Sequence, residues 1–286
     1  MRKTLFSGIA ACLLATAATA AEQSPSVIWT VGQADRSASE FALAPDRFRD
    51  FLANDFGYED KYFLVGHSVP AADFPYVLPG PADTWGGTWP TSGWRTHQVN
   101  ILFGLKEIPS DGTCTLVVDL LDYAKNFLPL VKVSVNTQDA KFQLDAPGLS
   151  VADQRKPNQM EKIVDTLSIT GNLAKATPRR LEIPIRPGVL KAGGNEVTIT
   201  VLEGSWILFD RVSLEGPAGT NVEQPQQLFI RNIEAAPYEL ADGKRRVQPL
   251  LVDLEWLEGA PALSVELDGK EILNQRIETG RYQLEA

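Results

Sequence analysis

His97-Gln98-Val99-Asn100-Ile101-Leu102-Phe103-Gly104-Leu105 sets His97, Val99, Ile101, Phe103 and Leu105 at every second position. Side chains of an extended strand alternate between the two faces of a sheet, so this spacing puts all five on one face, above a core. The same period returns along the chain. Cys114, Leu116, Val118 and Leu120 share a face, and Val131, Val133 and Val135 alternate with Lys132, Ser134 and Asn136. Then come Leu181, Ile183 and Ile185, next Val197, Ile199 and Val201, and last Trp206, Leu208, Val212 and Leu214. Half-buried strands parted by Gly, Pro and Asn turns point to an antiparallel sandwich or jelly roll. One stretch reads as helix, Pro45 to Ala53, with Phe48, Phe51 and Leu52 on one side after a Pro and Asp suited to a first turn. It is short enough to be a decoration between strands.

Gly216-Pro217-Ala218-Gly219 and the polar run Glu223 to Gln227 interrupt the pattern and form a candidate boundary. Strands resume at Leu228 to Ile233, Val247 to Trp256 and Leu263 to Leu267. Asp268-Gly269 then predicts a two-residue hairpin into Ile272 to Ile277, and Tyr282 to Leu284 reads as a last strand. These are fewer strands than the seven or so of an immunoglobulin-like sandwich. The second module is therefore expected to be incomplete, with the chain as the front part of a longer protein.

Met1-Arg2-Lys3, the apolar run Leu5 to Ala15 and the small-residue pattern Ala18-Thr19-Ala20 read as a secretory signal over residues 1–20. The apolar run is short of the roughly 20 residues that a membrane span needs. Export to a periplasm, cell surface or medium is the expectation. Removing Arg2 and Lys3 takes the formal charge from −9 to −11, which disfavours nucleic acid and anionic lipid as partners. Cys12 leaves with the signal, so Cys114 stands alone and stability must come from apolar burial, for which 44% hydrophobic residues are ample.

Chemistry is harder to place. Two histidines, His67 and His97, limit imidazole catalysis, and no metal-binding, phosphate-binding or nucleophile-elbow motif is present. Gly66-His67-Ser68 lacks a strand–Ser–helix setting, and His97 reads as a core or rim histidine. With 36 acidic residues, spacing cannot nominate a carboxylate pair for glycoside hydrolysis. Asp210 stands out because alternation puts it between Leu208 and Val212 on an apolar face, where an unpaired charge is costly. A hydrogen-bonded or ion-paired structural role is the ordinary reading. Half of the six tryptophans fall in Asp83-Thr84-Trp85-Gly86-Gly87-Thr88-Trp89-Pro90-Thr91-Ser92-Gly93-Trp94-Arg95, a Gly- and Pro-rich loop. Trp85, Trp89 and Trp94 could stack on sugar rings, with Asp83 or Arg95 bonding hydroxyls; equally, the rings could plug one end of the sandwich. Asp35 and Glu40 are the candidate ligands of a structural calcium.

Ile28-Trp29-Thr30-Val31-Gly32-Gln33-Ala34-Asp35-Arg36-Ser37-Ala38-Ser39-Glu40-Phe41 resembles the entry to the third, jelly-roll domain of family 4 polysaccharide lyases, the rhamnogalacturonan lyases. Ile183-Pro184, Leu190 to Asn195, Val197 to Leu202 and Phe209-Asp210-Arg211-Val212-Ser213-Leu214-Glu215 resemble that domain's last strands. The likeness spans residues 27 to 216, with a divergent middle. It implies a galactose-binding-like jelly roll over 27–216, and with the strands counted beyond the boundary the expected fold is all-β, that jelly roll followed by a second, incomplete immunoglobulin-like sandwich over 222–286. It also implies a carbohydrate-binding-like role. The catalytic groups of those lyases belong to a domain with no counterpart here, so none carries over. So acidic a chain is not an obvious binder of anionic pectin unless Arg95, Arg179 and Arg180 form a local basic patch.

The leading expectation is a non-catalytic carbohydrate-binding or accessory region of an exported polysaccharide lyase or glycoside hydrolase. Its partner is then a polysaccharide or oligosaccharide, with no required cofactor. One alternative places lyase or hydrolase activity in the chain itself. The other makes it a structural spacer that docks a downstream catalytic domain.

Overall fold

The computed structural model describes residues 26–54, 56, 61–83, 85, 97–109, 113–145, 168–243, 245–259 and 262–285. The first strands are β1 (Ser26–Gly32), β2 (Phe63–Leu64), β3 (Val77–Leu78), β4 (Gln98–Leu105), β5 (Cys114–Tyr123) and β6 (Leu130–Val135). They are followed by β7 (Gln138–Gln143), β8 (Arg179–Ile185), β9 (Gly193–Glu203), β10 (Ile207–Gly216) and β11 (Val222–Glu223). One sheet runs β1-β10-β5-β8 with β3 beside β10; the other runs β11-β4-β9-β6-β7 with β2 beside β4. Successive strands from β4 to β11 mostly change sheet, which is how a jelly roll closes two sheets over one core.

The alternating residues line that core. Leu116, Val118, Leu120, Leu181, Ile183, Val212 and Leu214 face it from one sheet, and Val99, Ile101, Phe103, Val131, Val133, Val135, Val197 and Ile199 from the other. An aromatic group fills one part, where Phe74 meets Phe209 at 5.1 Å, Phe41 at 5.6 Å and Phe63 at 5.9 Å between ring centroids. The helix expected at Pro45 to Ala53 forms as a 3-10 turn, Phe48–Asp50, running into α1 (Phe51–Asn54), and buries Phe48 and Phe51. A second short helix, α2 (Pro70–Asp73), had no strong periodicity to announce it.

Two departures from simple alternation have local causes. In β10 the pairing with β5 passes from Phe209↔Leu120 to Arg211↔Asp119, so Asp210 is an extra, bulged residue. Leu208 and Phe209 are consequently both buried, and Asp210 leaves the apolar row. Strand β4 is buried on both faces, Asn100 and Leu102 included, because its second face is also covered.

The cover comes from the C-terminal strands β12 (Leu228–Ala235), β13 (Leu240–Asp242), β14 (Arg245–Val247), β15 (Leu250–Trp256), β16 (Ala262–Leu267), β17 (Lys270–Arg276) and β18 (Gly280–Glu285). They form a β12-β15-β18 sheet and the hairpins β13-β14 and β16-β17. Asp268 and Gly269 both take positive φ, 52° and 75°, as the two-residue turn between β16 and β17 requires. Phe229 inserts against Leu64 and Leu102 of the sandwich. Beside it, the guanidinium of Arg231 pairs with buried Glu255, its Nε donating at 2.5 Å, and lies 5.2 Å from the Tyr62 ring. Among the described residues no helix is long and apolar enough to cross a membrane.

Candidate functional site

The aromatic loop begins where β3 runs out. Gly80 and Asp83 form a turn in which Asp83 N donates to Gly80 O at 2.9 Å, and Gly80 N donates to Asp83 Oδ2 at 2.9 Å. The other carboxylate oxygen accepts from Ser205 Oγ at 2.5 Å, and Ala82 N donates to Gly204 O at 2.8 Å. These bonds fasten the segment to the β9–β10 turn. Close approach demands the glycines: a Cβ on Gly80 would lie 2.5 Å from Gly204 O, and one on Gly204, whose φ is +83°, would lie 2.4 Å from Leu128 O. Ser205 N in turn donates to Phe127 O at 2.9 Å.

Asp83 is buried and its carboxylate faces inward, so it positions the loop's root. Trp85 is partly buried against the core and meets Phe48 edge to face at 5.0 Å; the Arg49 guanidinium lies 5.5 Å from the Phe48 ring. Phe48 is the neighbour that sequence reading missed, since a core-facing 3-10 residue looks the same whatever it supports. Trp89, Trp94 and Arg95 lie outside the described residues. The chain re-enters the described part at His97, whose carbonyl accepts from Val201 N at 2.9 Å, so both flanks of the loop lie at the β9–β10 end of the sandwich.

The same end holds a second polar knot. Asp122, buried in β5, accepts from Lys125 Nζ at 2.5 Å, from Thr177 N at 2.9 Å and from Ser168 Oγ. Lys125 Nζ also donates to Tyr123 O at 2.6 Å and sits 3.5 Å from the Tyr123 ring centroid.

Other candidates occupy structural positions. Asp35 Oδ1 accepts from Ser37 N at 2.9 Å and Glu40 Oε1 from Gln33 N at 3.0 Å. Calcium takes six to eight oxygens, and among the described residues no group of three or more metal-binding side chains forms. Ser68 Oγ accepts from Leu64 N at 2.9 Å beside an exposed His67. Of the basic patch, Arg179 pairs with Asp145 at 3.5 Å, and Arg180 joins Arg211 in a network with Asp119, Glu182 and Glu215. Arg180 and Arg211 are thus balanced on the outer face of the β1-β10-β5-β8 sheet, and Arg179 by a carboxylate just past β7.

Two buried groups make stability depend on pH in opposite senses. Burial lowers the pKa of His97 to about 4, and among the described residues neither ring nitrogen has a well-formed hydrogen bond, although the nearby Pro79 carbonyl favours the charged form. Burial raises Asp210 to about 6, helped by the charges of Asp35, Asp119 and Glu40 and opposed by the Arg36 N–H, which donates to Oδ1 at 3.0 Å. His97 is held neutral in the fold, so its contribution is present above pH 6.5 and is lost as pH falls towards 4. Asp210 is held protonated, so its contribution is present below the normal aspartate pKa and is lost as pH rises through 6. Each is worth on the order of 2–3 kcal/mol, and between pH 4 and 6.5 they largely cancel. Asp210→Asn keeps the acceptor for Arg36 and removes one of the two. It is expected to raise stability at pH 7 and to steepen the loss on acidification to pH 4.5; urea midpoints that shift equally in both proteins would contradict this pairing.

The two sheets form a jelly-roll sandwich, one end of which carries Trp85 on Phe48 and the polar knot around Asp122. The chain belongs to the CBM-like family of polysaccharide lyase family 4, domain III, whose model matches residues 27–214. Among solved structures it is similar to a family GH115 4-O-methyl-α-glucuronidase with specificity for decorated arabinogalactans, at 13% identity over 57% of this chain with a TM-score of 0.28. The chain spans 16% of that enzyme's length. No curated protein matches it in sequence.

Proposed function

We propose that this is the non-catalytic carbohydrate-binding or accessory region of an exported polysaccharide lyase or glycoside hydrolase, working in a periplasm, at a cell surface or outside the cell. The observation that carries the reading is Trp85, a partly buried ring set on Phe48 at the root of a loop with two further tryptophans. A ring fixed in this way loses little freedom when a sugar's C–H face stacks on it. Asp83 and Ser205 hold its mount, and Trp89, Trp94 and Arg95 follow in the sequence as the further candidates for sugar contact. The acidic composition and the internal balance of Arg179 and Arg180 favour neutral or weakly charged glycans over densely anionic ones. The test is a glycan array probed with the whole chain, beside a turnover assay on its hits. Binding without turnover is expected; cleavage of any hit would place an activity in the chain, and a blank array from folded protein would favour a structural spacer.

A further inference from the structure

A cleft of about 510 Å³ opens away from the loop end, between the Lys191–Gly194 turn leading into β9 and the edge strand β12. Its size falls in the range of small-molecule sites, roughly 300–1,000 Å³. We propose that this cleft binds a short oligosaccharide of one or two pyranose rings, as a sugar site separate from the aromatic loop. The ligand class rests on the carbohydrate reading above; the location rests on the cleft itself.

The two walls are held in fixed relation. Gly194 has no room for a side chain, since a Cβ there would meet Ile230 O at 2.2 Å and Arg231 O at 2.9 Å. Phe229 is anchored on Leu64 and Leu102, and Arg231 on Glu255. Lys191 Nζ donates to Asn232 Oδ1 at 3.0 Å, so a polar bridge joins the two walls directly. A ligand entering here meets a preformed space, and the ordering cost of binding is low.

The lining has two characters. Ile230 and Ile233 are 40% and 51% exposed and present an apolar wall. Lys191, Asn232 and Glu223 present polar groups beside it. A pyranose ring has the same division, with an apolar C–H face and a rim of hydroxyls. Lys191 donates to a neutral amide, and among the described residues it makes no ion pair. An ammonium has three donors, so others remain for a hydroxyl or carboxylate oxygen, as do those of the Asn232 amide nitrogen.

The test is isothermal titration of the whole chain with di- to tetrasaccharides of hexoses, pentoses and uronic acids, using wild type, Ala192→Trp and Trp85→Ala. Ala192 is exposed and lines the cleft, so a tryptophan there fills the space and removes no contact. Ala192→Trp is expected to weaken the cleft's binding about tenfold or more, the equivalent of one good contact. Saturating sugar is also expected to slow acetylation of Lys191 in the unmutated chain, read by mass spectrometry. Unchanged affinity in Ala192→Trp and unprotected Lys191, with binding lost in Trp85→Ala, overturns the cleft and leaves the loop site standing. Binding lost in Ala192→Trp and kept in Trp85→Ala upholds the cleft and removes the loop. If no sugar binds any variant, both fall.

Discussion

Replacing Phe74 by alanine is expected to destabilise the protein by about 3–5 kcal/mol, the range for emptying a large aromatic site in a packed core. Phe74 is 1% exposed and contacts three other phenylalanines, Phe41, Phe63 and Phe209. These rings come from the loop after β1, from β2 and from the bulged part of β10, so the cavity would loosen three segments together. For a domain of this size each kcal/mol moves Tm by about 2–4 °C, which puts the expected fall on the order of 10 °C by calorimetry. Leu267→Ala serves as the control: Leu267 is 53% exposed, and substitutions there should stay within about 0.5 kcal/mol. A Phe74→Ala protein that melts with the control would mean that the aromatic group is not the keystone of this end of the sandwich.

Arg231→Ala is expected to cost a similar amount, about 3–5 kcal/mol, because it strands Glu255 as a buried carboxylate without its cation. Glu255 is 1% exposed, and burial already pushes its pKa up against the opposing pull of Arg231 and Tyr62. The loss should concentrate in β12 and β15, where it can be read as faster amide hydrogen exchange. Replacing both partners, Arg231→Met with Glu255→Leu, removes the charges together and should recover most of the stability, since buried ion pairs rarely outdo an apolar pair of like volume. If the double variant exchanges as fast as Arg231→Ala, packing of the arginine stem rather than charge holds this junction.

Much of the fold could be read in the chain because the jelly roll is built from strands with one buried face, and a period of two is visible residue by residue. Gln98 to Leu105, Cys114 to Leu120 and Val131 to Val135 all form strands where alternation places them, with His97 just ahead of the first. What could not be read depends on contacts distant in sequence. The bulge at Asp210 is set by the register of β10 against β5, which no local pattern encodes. The burial of Leu102 depends on Phe229 arriving more than a hundred positions later. Asp83 drew attention as a polar residue beside tryptophans, yet its carboxylate serves Gly80 and Ser205, partners supplied by turn geometry and by the β9–β10 turn. Trp85 was legible as an aromatic in a loop; that Phe48 would support it was not, because the 3-10 turn at Phe48–Asp50 carries no signal of its tertiary partner.

These features separate scaffold from surface. The glycines, Asp83, Asp122 and the aromatic group fix one end of the sandwich, and the C-terminal sheet stiffens the opposite sheet from outside. Under the proposed function, sugar contact falls to side chains that the scaffold holds but does not consume, with Trp85 the first to test. The most direct test compares the affinity of Trp85→Ala with that of the unmutated chain for a sugar identified on the array, by titration at matched folding. Loss of about tenfold or more, equivalent to roughly 1.4 kcal/mol, with thermal unfolding little changed, is the expected result; an unaltered Kd in a folded Trp85→Ala protein would contradict a sugar platform at this end of the sandwich.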